Sequence, residues 1–136
     1  MEWFRIKTST LLMRVAVDEI VYVKADGNYC DLVMINGRSR KMTFQLHHFE
    51  ENFKLLQNAR EFIRVGRSLI VNRQYVQVID LLGQTIVFGG KHVIRGMRED
   101  HPNGQVSSLR DGKDIYTVKV SRDALKELKE LLETTI

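Results

Sequence analysis

"DEIVYVKADGNYCDLVMINGRSRKMTF", residues 18–44, decides how the chain is organised. Ile20, Tyr22 and Lys24 alternate with Val21, Val23 and Ala25, a period of two that predicts a strand with two different faces. Asp26-Gly27 and Asn36-Gly37 follow at short intervals, and glycine and asparagine accept the positive φ that tight hairpin turns require. The two turns bracket "NYCDLVMI" as the next strand and make "RSRKMTF" its hairpin partner.

The rhythm continues outward. "QYVQVID", "QTIVFG" and "KHVIRG" read as further strands, and "QVSSLR" runs through Asp111-Gly112 into "DIYTVKV" as another hairpin. Two segments break it. Leu46, Phe49, Phe53 and Leu56 recur at three or four residues and predict a short helix. At the C-terminus, Ser121 occupies an N-cap position, and Leu125, Leu128, Leu131 and Leu132 make an apolar stripe beside Lys126, Glu127, Lys129 and Glu130. Pro102 sits in "EDHPNGQ", which reads as a loop tip. The expectation is one mainly β domain over residues 1–136, with two short α-helices.

Composition narrows the classes. The chain has 136 residues, 43% of them hydrophobic, enough to bury one core. Lys and Arg number 21 against 17 Asp and Glu, a net charge of +4 that suits a polyanionic partner without requiring one. Nothing approaches the ~18 apolar residues of a membrane span, and the N-terminus lacks the plan of a signal peptide. A single cysteine, Cys30, excludes an intrachain disulfide and fits a reducing cytoplasm.

No chemistry assembles from the motifs. His47 and His48 are adjacent within the predicted helix and point about a hundred degrees apart. His92 and His101 have no cysteine or carboxylate at metal-ligand spacing. No nucleophile elbow, P-loop or dinucleotide pattern is present, and "FGGKH" is explained by a tight hairpin. Catalysis, a metal and a cofactor are therefore not expected. The basic residues say more. Arg38, Arg40 and Lys41 follow one turn; Arg64, Arg67 and Arg73 flank one apolar run; Lys91, Arg95 and Arg98 fall in late strands; Lys119 and Arg122 join the last strand to the last helix. Cations at strand ends are held on a rigid scaffold, and arginine's planar fork matches phosphate oxygens and guanine edges.

That apolar run, "FIRVGRSLIVNRQYV" at residues 62–76, resembles the signature of the LytTR family of bacterial DNA-binding domains: Phe62, Arg64, Arg67-Ser68 and Val71-Asn72 stand in its order. "DEIVYVKADGNY" is similar to the family's opening strand and turn, "MTFQLHHFEENF" to its short helix, and "VKVSRDALKELKELL" to its closing strand, Ser-Arg pair and helix. The resemblance implies a compact stack of antiparallel β-sheets whose loops, rather than a recognition helix, enter double-stranded DNA, two of them reaching successive major grooves. It further implies a cytoplasmic response-regulator output domain controlling transcription, repeated half-sites and a homodimer on DNA.

Carried over residue by residue, it places the Gly27, Asn28, Tyr29 and Cys30 turn in one major groove. Arg64, Arg67, Ser68, Asn72 and Arg73 fall around the phosphate-contacting centre, and Ser121 with Arg122 at the other major groove. About five phosphate contacts would make log K fall by roughly 4 to 5 per log unit of salt. For Asn72 and Ser68 a structural role at the strand ends stands beside DNA contact. Three departures accompany the likeness: Gly66 stands where the family commonly has histidine, residues 91–113 read as an added hairpin, and no receiver pattern is read ahead of the module. The expectation is therefore either a separate signalling partner or an output half of a longer chain. Two other functions stay open: RNA binding, which an exposed cluster of Tyr22, Tyr29 and Tyr75 would favour, and a protein-interaction module using the last helix or residues 91–113.

Overall fold

The structure is a computed structural model. It describes residues 1–89, 109–110, 113–114 and 116–134. Ten of its strands form three antiparallel sheets. β1 (Trp3–Lys7) pairs with β2 (Leu12–Ala16). The central sheet has the order β5-β4-β3-β7-β6, built from β3 (Ile20–Asp26), β4 (Tyr29–Met34), β5 (Ser39–Met42), β6 (Phe62–Val65) and β7 (Leu69–Asn72). The third sheet sets β9 (Thr85–Phe88) between β8 (Val76–Asp80) and the closing strand Thr117–Lys119. Before that closing strand, β10 (Leu109–Arg110) and β11 (Lys113–Asp114) make a two-residue ladder, so the closing strand is β12. The helices described are α1 (Leu46–Phe53) and α2 (Arg122–Glu133). The strand expected at 91–96, the cations Lys91, Arg95 and Arg98, His92, His101 and Pro102 lie outside the described residues, as does the added hairpin over 91–113 apart from the β10–β11 ladder.

The central sheet is buried on both faces, which explains why "SLIV" is a continuous apolar run rather than an alternating one. One face packs Val21, Tyr22, Val33 and Val71 against β9, β12 and α2, through Ile86, Phe88, Val118 and Leu125. The other packs Ile20, Val23, Leu32 and Ile70 against β1, β2 and α1, through Phe4, Val15, Phe49 and Phe53. Aromatic stacking links these layers: Phe53 lies 4.5 Å from Phe4 and 4.0 Å from Phe62, each such pair contributing about 0.5–1.5 kcal/mol beyond burial.

Strict alternation in β3 does not survive. The ladder to β4 shifts register between Ile20 and Tyr22, and the extra residue turns Val21 and Tyr22 to the same layer while Ile20 and Val23 face the other. The β1–β2 hairpin is also absent from the sequence reading, although its pattern is plain once paired: Phe4, Ile6, Met13 and Val15 point inward. The helical stripe is narrower than expected. Leu125 and Leu128 are buried and Leu132 packs beside them, whereas Leu131 is 43% exposed on the flank, and Leu56 follows α1 in a turn.

Both turn predictions have their physical reason in the backbone. Gly27 has φ 62°, and Asn36 and Gly37 have φ 68° and 75°. Tyr116 then ties the returning chain to the β4–β5 hairpin: its hydroxyl donates to the Met34 carbonyl at 2.9 Å and accepts from the Gly37 N–H at 2.6 Å.

Candidate nucleic-acid interface

Two hairpin turns leave the central sheet by the same end. β3 and β7 pair Lys24 with Leu69, and the ladder continues with the Ala25 N–H donating to the Ser68 carbonyl at 2.8 Å. The Gly27-Asn28 turn and the Gly66-Arg67-Ser68 turn are therefore neighbours, though some forty residues apart in sequence. A third segment joins them. Gly66, with φ 62°, brings its backbone against the first turn of α2, where a Cβ on it would stand 3.4 Å from the Ala124 Cβ. Lys119, Val120 and Ser121 consequently line one cleft of about 730 Å³ with Lys24, Arg67 and Ser68.

Arg67 projects from the middle of this end, exposed, and borders two clefts. Arg64 has a different role. Its Nε donates to the Gly66 carbonyl at 3.2 Å, one terminal nitrogen donates to the Arg67 carbonyl at 2.8 Å, and the other meets Glu50 at 3.4 Å. Those bonds fasten the turn that presents Arg67. Arg122 is exposed at the first position of α2, directly after Ser121. A cation there opposes the helix dipole at a cost of about 0.3–1 kcal/mol, so its placement is not explained by helix stability. Ser121 fills the N-cap position without a side-chain capping bond.

The first turn is electrostatically mixed. Lys41 bridges Asp26 at 3.1 Å and Asp31 at 3.3 Å, and lies 5.6 Å above the Tyr29 ring. Hydrogen bonds to Asp26 and then Asp31 hold the Lys41 ammonium above its ordinary pKa. Tyr29 itself is 44% exposed.

Three expected contacts are elsewhere. Cys30 is 1% exposed; burial first, then the Asp31 carboxylate, pushes its thiol up, with Arg64 opposing. Asn72 is wholly buried: its amide nitrogen donates to the Ile20 carbonyl at 2.8 Å and its oxygen accepts from the Gln74 N–H at 3.2 Å. Of its two readings, the geometry leaves the structural one. Arg73 follows β7 at the end opposite Arg67, roughly 20 Å along an extended chain, and pairs with Glu61 at 3.1 Å. Conversely, Lys24, Thr43, Gln45 and His47 reach this end of the sheet without having been singled out for it. Lys24 alone carried a signal, as a charge within an apolar strand.

A family model described as the LytTr DNA-binding domain matches residues 11–98. The chain belongs to the LytTR family. LytTR is a family of DNA-binding domains, not of enzymes. The fold of this LytTR chain is similar to a solved structure from Bacillus cereus, the LytTr DNA-binding domain assigned to a methyl-accepting/DNA response regulator. That likeness covers 97% of each chain at 20% identity, with a TM-score of 0.55. No curated protein matches the chain. The family match stops before β12 and α2, so in this LytTR chain the placement of Ser121 and Arg122 rests on the fold. Among the described residues no group of carboxylates, histidines and cysteine is arranged to hold a metal ion, and no helix is long and apolar enough to cross a membrane.

Gly66 gains a physical account here. A methyl group would find room beside Ala124, so the constraint is the left-handed backbone, unfavourable for an L-residue by about 1–2 kcal/mol. Gly66→Ala is expected to lower stability by that amount, measured by urea unfolding, and to weaken DNA binding by displacing Arg67.

Proposed function

We propose that this chain is a bacterial transcriptional regulator that binds double-stranded DNA sequence-specifically through loops at one end of its central sheet. The convergence of the Gly27–Tyr29 turn, the Gly66–Ser68 turn and the Lys119–Ser121 junction at that end supports the reading. Arg67, Lys24 and Lys119 contact phosphates and supply sequence-independent affinity. Asn28 and Arg122 read base edges, Arg122 through a forked contact to guanine. Arg64 positions rather than contacts. With about three cations on the backbone, log K falls by roughly 3 per log unit of salt. Loops rooted in paired strands lose little freedom on binding, so turns suffice where a helix would otherwise be inserted.

Occupancy of repeated half-sites by two copies, and control by a separate signalling protein, belong to the same proposal. Sedimentation on duplexes carrying one or two selected sites tests the first.

Selection of bound sites from random duplex DNA supplies the target. On it, Arg122→Ala is expected to reduce the preference over a scrambled duplex by about 1–3 kcal/mol, whereas Lys24→Ala weakens both duplexes alike. Equal losses on both duplexes for Arg122→Ala would remove its reading role. RNA binding by base stacking is not favoured, because Tyr22 and Tyr75 are 5% and 4% exposed. Tyr22 stacks on Phe88, and the Tyr75 hydroxyl donates to the Asp18 carbonyl, leaving Tyr29 without the other two members of the expected platform.

A further inference from the structure

We propose that His47 completes a phosphate-binding cleft between the two hairpin turns, and that protonation of its imidazole strengthens the grip on DNA. The inference rests on the DNA-binding reading and adds to it a contact and a form of regulation. The cleft, of about 410 Å³, is lined by polar groups from three separate elements: Asn28 from the β3–β4 turn, Arg67 from the β6–β7 turn, and Thr43, Gln45 and His47 at the start of α1. No carboxylate is among its lining residues, unlike the larger cleft, where Asp123 and Glu127 face Lys24, Arg67 and Lys119. Arg64 also borders it, but that guanidinium is engaged with the Gly66 and Arg67 carbonyls and with Glu50. Arg67 is thus the one cation lining the cleft without a partner among the described residues, and a second donor beside it matters.

His47 is exposed on the first turn of α1 and opens onto this space. The charged and titratable groups around it are few. On its own helix, the His48 ring lies 4.1 Å away, and Glu50 and Glu51 follow one turn on, Glu50 tied to Arg64. From the β6–β7 hairpin come Arg64 and Arg67. From the β3–β4 hairpin come Asn28 and Tyr29, while its carboxylates, Asp26 and Asp31, are held by Lys41. His48 leans edge-on toward Phe44 and does not line the cleft. A neutral imidazole offers a phosphate one N–H; the imidazolium adds a charge and a counterion-releasing contact.

The test uses the full chain and a random-sequence duplex, at about pH 7.5 and about pH 5.5. Wild type is expected to bind about tenfold more tightly at the lower pH in ~0.1 M salt, with a salt slope steeper by about 0.9. His47→Gln loses that response, His48→Gln keeps it, and His47→Lys binds tightly at both values. A wild-type response that survives in His47→Gln overturns the inference while leaving DNA binding intact. Absence of duplex binding by wild type at either pH and low salt overturns the DNA-binding reading as well.

Discussion

Reversing the charge at the tip of the β6–β7 turn, Arg67→Glu, is expected to weaken binding to every duplex by about two orders of magnitude in ~0.1 M salt. One phosphate contact is worth roughly tenfold there through counterion release, and the new carboxylate beside the same phosphate contributes a repulsion of similar size. Selected and scrambled duplexes should lose affinity together, because the backbone carries no sequence information. The fold should not suffer. Arg67 is exposed, and the bond from Arg64 goes to its main-chain carbonyl, which the substitution retains. Fluorescence anisotropy on both duplexes, with circular dichroism to verify folding, checks the result. Affinity unchanged within about twofold would mean that the loop end is not the DNA face, since one phosphate contact should be worth more.

The second large effect concerns stability. Asn72→Ala removes a fully buried amide that joins the Ile20 carbonyl on β3 to the Gln74 N–H beyond β7. Two backbone groups are left without their partner, a loss of about 2–4 kcal/mol. The urea midpoint should fall with the slope unchanged, while DNA affinity of the folded protein stays at the wild-type value. Reduced DNA affinity with an unmoved midpoint would restore Asn72 to the contact surface and contradict its buried geometry. Together the two substitutions separate residues that lie five apart in one short motif. Arg67 is exposed at the turn, where the proposed DNA face lies, and Asn72 is buried in the core.

That separation marks how far the sequence could be read. The hairpins were legible because turns are local: Gly27, Asn36 and Gly37 adopt positive φ within a few bonds of the residues that announce them. The alternation around them identified β4, β5, β8 and β9, and spacing at three and four identified α1 and α2. The bulge at Val21 was not legible, since every residue from Ile20 to Val23 is apolar and a sheet buried on both faces erases the contrast that shows register. The β1–β2 hairpin was missed for a related reason: five-residue strands with exposed Arg5, Lys7 and Arg14 carry little signal until their inward partners are known.

The candidate site divides in the same way. The residue types that suit a DNA partner, arginine at strand ends and Asn-Tyr in a turn, were visible in the chain. Which arginine lacks a partner among the described residues was not. Arg64, Arg67 and Arg73 look alike in sequence, yet one fastens a turn, one projects from it and one pairs with Glu61 at the far end of β7.

Local chemistry, then, was enough to specify the tight turns, β4, β5, β8 and β9 and both helices, and the motifs among them carried the resemblance to the family. Tertiary structure alone decided that β3 lies beside β7 and that Gly66 meets α2, and with that which side chains share a face. The reason is range: a turn depends on φ and ψ over four residues, whereas a shared surface depends on packing between segments that the chain keeps apart until the core closes.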